Sequence, residues 1–140
     1  MDVPAALAFA RERGKAVFVT QRKDGRPHLS NVLVWIPGDG TARVSITTDR
    51  VKFRNLQREP WAAIHVASDN FWTWAVIEGA VDLSAVAEAP GDGTVNELVE
   101  YYRALSGEHS DWDDYRTAMV REHRLVARIR PSRAYGVLPG

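Results

Sequence analysis

The sequence of 140 residues contains no cysteine, and this absence excludes several kinds of site. Without a thiol, the chain has no disulfide, no thiolate metal ligand and no cysteine nucleophile. It also lacks an excess of either charge, since 18 Lys and Arg residues balance 18 Asp and Glu residues. General nucleic-acid binders usually carry a strong basic excess, so we expect no nucleic-acid partner.

Long apolar runs are absent too, so we expect no membrane partner. Residues 1–4 lack the basic and then apolar layout of a secretory signal, and the default expectation is a cytoplasmic protein. The length suits one domain, which we place at residues 1–140. No G-x-S-x-G, P-loop or G-x-G-x-x-G motif occurs, and the histidines show no metal-ligand spacing. The sequence therefore assigns neither a metal site nor a catalytic residue.

Short segments rich in Val, Ile and Thr, separated by turn residues, are typical of antiparallel strands. The predicted strands are 15–21, 27–36, 42–47, 61–67, 71–84 and 123–130. Asp24-Gly25 predicts a type I′ hairpin turn, and Gly79 within a strand predicts a bulge. Helices are predicted after Asp2 and Arg50, from a capping box at Thr94, and from Ser110. These elements predict a mainly β fold, a small barrel with peripheral helices.

A group of basic residues follows the strand predicted at 42–47 and opens a short helix. It comprises Arg50, Lys52, Arg54 and Arg58. Backbone N–H groups at a helix start favour anions, and Thr47, Thr48 and Asn55 add hydroxyl and amide donors. On a chain without net charge, this group predicts a site for one compact anion such as a phosphate. A solvated helix face is the alternative, since short charge runs are common on protein surfaces.

The strand after the Asp24-Gly25 turn carries polar residues within an apolar pattern. Its first five residues are Pro27, His28, Leu29, Ser30 and Asn31. Such a strand presents backbone and side-chain groups to a planar ligand, or it is an edge strand with one wet face.

Two tryptophans and a late arginine are further candidates. A strand over 71–84 places Trp72 and Trp74 on one face, where they form either core or a stacking wall for a flat heterocycle. Arg124 starts the last predicted strand and is the best candidate among the C-terminal arginines to extend the anion site. With no acid–base or nucleophile constellation in view, this set suits an enzyme whose bound coenzyme carries the chemistry.

Several segments of the chain resemble a known family. D-G-R-P-H-L-S-N-V at 24–32, S-I-T-T-D-R-V-K-F-R-N-L-Q-R-E-P at 45–60 and W-A-V-I-E-G-A-V-D-L at 74–83 resemble the split β-barrel flavin and deazaflavin oxidoreductases. That family includes the pyridoxamine-phosphate-oxidase-like proteins. Segments 107–120 and 134–140 look like the actinobacterial branch that binds the deazaflavin coenzyme F420.

The resemblance implies an FMN-binding-like split β-barrel that forms homodimers, with two cofactor sites at the subunit interface. Carried over by position, the phosphate clamp falls on Arg50, Lys52 and Asn55. The rings of the cofactor would be bordered by Pro27, His28, Leu29, Ser30 and Asn31 and by Ser45, Ile46, Thr47 and Thr48. Trp72 and Trp74 would come from the partner subunit, and Arg124 would help to hold the acidic tail of the coenzyme.

The activity implied by the resemblance is hydride transfer between reduced F420 and a small organic acceptor. The chain lacks the length and the C-terminal substrate motif of true pyridoxamine-phosphate oxidases, which argues against vitamin B6 synthesis. Three alternatives stay open: an FMN-dependent oxidoreductase with the same fold, a non-catalytic F420 carrier, and a haem-binding split barrel.

Overall fold

A computed structural model describes residues 1–140 and contains six strands and four helices. The strands are β1 Lys15–Gln21, β2 Pro27–Leu33, β3 Ala42–Thr47, β4 Trp61–Ala67, β5 Trp74–Leu83 and β6 Arg124–Val137. The helices are α1 Val3–Arg11, α2 Val51–Arg58, α3 Gly93–Ser106 and α4 Trp112–Arg121. The mainly β class predicted from the sequence is confirmed. None of the helices is long and apolar enough to span a membrane.

The strands form one antiparallel sheet in the order β2-β1-β4-β5-β6-β3, which curls so that its two edge strands approach each other. The edges meet at one end through a single bridge, where the backbone groups of Trp35 and Arg43 exchange hydrogen bonds of 2.9 and 2.8 Å. Along the rest of their length, β2 and β3 share no ladder. The barrel is therefore split between its first hairpin and its third strand.

Two apolar cores hold the molecule together. The larger one fills the curled sheet, with Phe18, Ile64, Ile77 and Ile129 fully buried. The smaller one lies between β6 and the two helices α3 and α4. We call these two helices the helical cap. It contains Leu98, Tyr115, Met119 and Val126 among its buried residues. The cap thus sits beside the split.

Strands β1, β3 and β4 and the predicted bulge agree with the sequence-based predictions. The register between β5 and β6 shifts at Glu78/Gly79, where a Cβ on Gly79 would overlap the carbonyl group of Arg130. β6 runs on to Val137, beyond its predicted end, because this shift accommodates Pro131 opposite Gly79.

The predicted type I′ turn at Asp24-Gly25 is wrong. Only Gly25 has a positive φ, and its N–H donates to the Arg22 carbonyl at 2.9 Å. The loop is therefore one residue longer, with Gly25 in the position of a bulge.

Three other boundaries differ from prediction. β2 ends at Leu33 rather than Ile36, because Val34 makes the last hydrogen bond in register with β1, to the Gly14 carbonyl at 2.8 Å, and Trp35 then pairs with Arg43 of β3. β5 begins at Trp74 rather than Phe71, because Phe71 has a φ of 76° and lies in a loop. The cap of α3 is Asp92, not Thr94.

Candidate functional site

A cavity of about 780 Å³ occupies the split between β2 and β3, under the helical cap. Its lining includes His28, Leu29, Ser30, Asn31, Val32 and Leu33 of β2; Ser45, Ile46 and Thr47 of β3; Asp49, Arg50, Val51 and Lys52 around the start of α2; Tyr101 and Tyr102 of α3; Tyr115 and Met119 of α4; and Arg124 of β6. This volume is within the range of small-molecule and cofactor sites. The residues come from six elements in three stretches of the chain, 28–33, 45–52 and 101–124.

The β2 side of the cavity is a free sheet edge, because β2 pairs only with β1. Alternate residues of the strand are exposed, and Leu29 has 57% of its surface accessible. An unpaired edge offers backbone N–H and C=O groups to whatever lies beside it. β3 is the other edge, and its partly buried residues, Ser45 and Thr47 among them, alternate with core residues. The cavity is thus bordered by two strand edges, and their free backbone groups can form hydrogen bonds to a flat molecule.

Three cations meet at one corner of this cavity, and we call Arg50, Lys52 and Arg124 the cationic corner. Lys52 Nζ donates to Ser30 Oγ at 3.2 Å, which ties the start of α2 to β2. An Arg124 guanidinium nitrogen donates to Ser45 Oγ at 3.3 Å and another pairs with Glu122 at 2.9 Å. Neither Arg50 nor Lys52 forms an ion pair. The corner therefore holds more positive charge than its own carboxylates neutralise.

The electrostatics of Lys52 reflect this imbalance. Burial lowers the pKa of its ammonium group, and the positive charges of Arg50 and Arg124 lower it further. A nearby positive charge disfavours the protonated form of an ammonium group, and a nearby anion favours it. Asp49 is the carboxylate at this end of the cavity, and the Thr47 hydroxyl donates to it and lowers its pKa. A bound anion would relieve the repulsion among the three cations.

Another wall of the cavity is aromatic and comes from the helical cap. The Tyr101 hydroxyl donates to the Leu33 carbonyl at 2.8 Å, and the Ser45 N–H points at the phenol oxygen of Tyr101. The Tyr115 hydroxyl donates to the Leu98 carbonyl at 2.8 Å. Burial, more than any other effect, raises the pKa of Tyr115 to about 12. Because both hydroxyls are already bonded to backbone groups, these residues present mainly ring surface to the cavity. The wall excludes water and favours a flat apolar ligand.

These cap residues were not among the predicted site residues. The sequence indicated that Tyr101, Tyr102 and Tyr115 belong to apolar helix stripes, and their burial agrees with that. One feature of the sequence could have indicated a second role for these tyrosines. Adjacent residues of a helix point about 100° apart, so Tyr101 and Tyr102 cannot both enter one core. The place of the cap over the split was not visible in the sequence.

The structure brings together in one cavity most of the predicted site residues. These are His28, Leu29, Ser30, Asn31, Ser45, Ile46, Thr47, Arg50, Lys52 and Arg124. The other C-terminal arginines are engaged elsewhere, for example Arg128 with Glu97 and Arg130 with Asp82.

Five predicted site residues lie outside this cavity. Asn55 is buried and its Nδ2 donates to Thr20 Oγ1 at 3.1 Å, so its amide group is not available as a phosphate ligand. Thr48 turns its N–H to the His123 carbonyl at 3.4 Å, away from the cavity. Pro27 is exposed and lines a separate cavity beside Trp61.

The two tryptophans do not form the predicted pair on one strand face. Trp72 precedes β5 in a loop, with 75% of its surface exposed. Trp74 starts the strand and stacks on His65, with ring centroids 5.6 Å apart. Both lie outside the cavity of their own chain.

Comparison with known proteins agrees with this architecture. The family model described as pyridoxamine 5′-phosphate oxidase matches residues 3–137. The chain belongs to the pyridoxamine 5′-phosphate oxidase family. The split β-barrel predicted by resemblance is confirmed, and the fold is that of flavin- and deazaflavin-binding oxidoreductases.

Three of the solved structures that share this fold illustrate the likeness. One is described as an F420 reductase, at 21% identity and a TM-score of 0.69, over 91% of this chain and 94% of that one. A haem storage protein from Vibrio cholerae has 15% identity and a TM-score of 0.69, over 97% and 95% of the two chains. An FMN-binding protein related to pyridoxamine 5′-phosphate oxidase, from Nostoc punctiforme, has 15% identity and a TM-score of 0.62, over 96% and 82%. The TM-scores show a common fold and, at these identities, the fold alone; the three proteins are named for different ligands.

Proposed function

We propose that this protein is an F420-dependent oxidoreductase that transfers hydride between the reduced deazaflavin and a small organic acceptor. The observation that carries the proposal is the cationic corner, three cations with too few carboxylates at one end of a cavity between two free strand edges. The family and the F420 reductase among the similar structures support the same cofactor class. When bound, the deazaflavin supplies the redox chemistry.

The residues present suit a flat molecule with an acidic tail. Arg50 and Lys52 would bind its phosphate, because charge-assisted hydrogen bonds to ammonium and guanidinium groups are the usual phosphate contacts. Arg124, at the same corner, would hold carboxylates of the glutamate tail. β2 and β3 would border the ring, and the tyrosine wall would exclude water from it.

We further propose that the active form is a homodimer joined through the outer face of the sheet. Residues directly opposite one another in a sheet share a face, and one such row runs from Asn31 through Val17, His65 and Val76 to Tyr135. Exposed Tyr135 and Val137 lie at the β5–β6 end of this face, and exposed Phe71 lines a cavity with Val17 and His65 of the same row. Several exposed apolar side chains on one sheet face favour an interaction site there. Dimers are also common in the family, and Trp72 and Trp74 would then approach the cavity of the other subunit.

FMN is the second candidate cofactor, favoured by the FMN-binding relative and by the terminal phosphate that FMN would place at the same corner. The test is equilibrium binding of F420 and FMN to one sample, followed by turnover of reduced F420 with a panel of organic acceptors. Tighter binding of F420 with turnover supports the proposal. Preference for FMN, with protein that purifies yellow, contradicts the cofactor assignment.

Two other results of the same experiment would contradict the proposed enzyme. Tight F420 binding without turnover of any acceptor indicates a carrier of the coenzyme. A Soret band in the purified protein indicates a haem-binding protein, as the Vibrio cholerae neighbour is named.

A further inference from the structure

One side-chain atom in the structure is buried without a hydrogen-bond partner, and it belongs to a residue that lines the cavity. It is Nδ1 of His28, on the edge strand β2. Buried polar atoms are nearly always hydrogen-bonded, so a single exception in a ligand-sized cavity needs a specific explanation. His28 is two residues from Ser30, whose hydroxyl accepts the hydrogen bond from Lys52. The unpartnered imidazole is therefore a neighbour of the cationic corner.

The charges that act on His28 all have the same sign. Burial contributes most to lowering the pKa of its imidazole. The positive charges of Arg22 in the hairpin loop and of Lys52 in α2 lower it further. On β1, the residue opposite His28 is the uncharged Thr20. With no anion present, the imidazole at neutral pH is therefore in its neutral form.

An anion at the cationic corner changes this balance. It neutralises Lys52, which repels the imidazolium, and it offers a negative charge that favours the protonated form. We propose that His28 is a further anion-binding residue of this cavity, which takes up a proton from solvent when an anion binds beside Lys52. Neutral His28 then becomes an imidazolium that adds a fourth positive group to the bound anion.

This inference rests on the proposed anion site and adds a consequence to it. Binding and protonation are linked, so each must favour the other by the same factor. An anion that does not itself titrate near neutrality would bind more tightly as the pH falls, with a limit of about tenfold per pH unit for one proton.

The test is a proton NMR titration of the histidine ring resonances from about pH 5 to pH 8, the range in which imidazole changes charge. The probe is inorganic sulfate, a divalent anion that does not titrate in this range, compared with sodium chloride at the same ionic strength. His28→Asn assigns the His28 resonance by its disappearance. His109, which lies in the aromatic cluster around Tyr102 and accepts the Asp111 N–H, is the internal control.

We expect the His28 titration midpoint to move upward in sulfate and not in chloride, while the His109 midpoint stays the same in both. Lys52→Met should move the His28 midpoint upward even without sulfate, because it removes a repelling charge. If sulfate shifts the backbone amide resonances of Arg50 and Lys52 but leaves the His28 midpoint in place, the role of His28 is refuted and the anion site stands. If those amide resonances also stay unchanged, the anion site itself fails, and this inference fails with it.

Discussion

The hydroxyl of Tyr101 donates a hydrogen bond of 2.8 Å to the carbonyl of Leu33, and so ties the helical cap to the free edge of β2. The Ser45 N–H, on the other free edge, points at the phenol oxygen of Tyr101. One phenol thus spans the split between β2 and β3 at the end of the cavity near the Trp35–Arg43 bridge. We infer that this contact helps to set the width of the cavity.

Replacing Tyr101 by Phe tests that role. The change leaves the Leu33 carbonyl without its partner, so we expect the free energy of unfolding to fall by about 1–3 kcal/mol, with weaker coenzyme binding. Urea denaturation and fluorescence titration measure the two effects. The matched control is Tyr102→Phe, since the Tyr102 hydroxyl makes none of the hydrogen bonds of the structure and its ring lies in the same cavity wall. Equal behaviour of both variants would contradict the role of Tyr101 across the split.

Glu97, one helical turn before Tyr101, attaches α3 to the barrel a second time. Its carboxylate pairs with Arg43 of β3 at 2.9 Å and with Arg128 of β6. Burial alone would raise the pKa of Glu97, but the hydrogen bonds and charges of Arg128 and Arg43 outweigh it and hold the pKa below its ordinary value of 4.5. The stabilisation is therefore complete above pH 4.5 and is lost as the pH falls through the pKa of the folded state.

Glu97→Gln should remove that dependence. At neutral pH we expect a loss of about 1–3 kcal/mol of unfolding free energy, and a difference from wild type that shrinks as the pH falls below about 4.5. Urea denaturation over a series of pH values gives both quantities. Glu100→Gln on the same helix is the control, because Glu100 pairs only with the more exposed Arg103 and should cost less than about 1 kcal/mol. A loss that does not depend on pH would contradict the assignment to Glu97.

The outer face of the sheet makes a prediction about assembly. Tyr135 lies on β6 opposite Val76 and packs edge-on against Trp74, with ring centroids 6.1 Å apart. Tyr135→Asp would place a charge in the proposed interface and should convert dimers to monomers in sedimentation velocity, with an unchanged circular dichroism spectrum. Ala104→Asp, on the exposed side of α3, should leave the dimer intact. A monomeric wild-type protein would refute the proposed dimer.

Local patterns in the sequence predicted the parts of the site that depend on neighbouring residues. The alternation in Ala42–Thr47 and the basic residues after it fix a strand and a helix start within one short segment, so Arg50 and Lys52 were found together. The polar strand Pro27–Leu33 was found for the same reason.

Features that depend on closure of the barrel were not predictable in this way. β2 ends at Leu33 because the chain must cross to β3 at Trp35, and nothing in the local pattern marks that point. Asn55 follows the basic residues in sequence, yet it lies on the buried side of α2 and bonds to Thr20. The tyrosines of the cap lie far in sequence from β2 and β3, and they reach the cavity only because α3 and α4 pack on β6.

The most direct measurement of the central claim is the affinity of F420 for wild-type protein and for Lys52→Ala, determined by fluorescence titration. Lys52 is half-buried at the cationic corner, and its loss removes a charge-assisted hydrogen bond to the coenzyme phosphate. We predict that binding weakens by about 1.5–3 kcal/mol, or roughly 10-fold to 150-fold in Kd. Lys23→Ala, in the exposed hairpin loop, should bind as wild type does. Equal affinities for wild type and Lys52→Ala would contradict the claim that this corner binds the acidic part of the coenzyme.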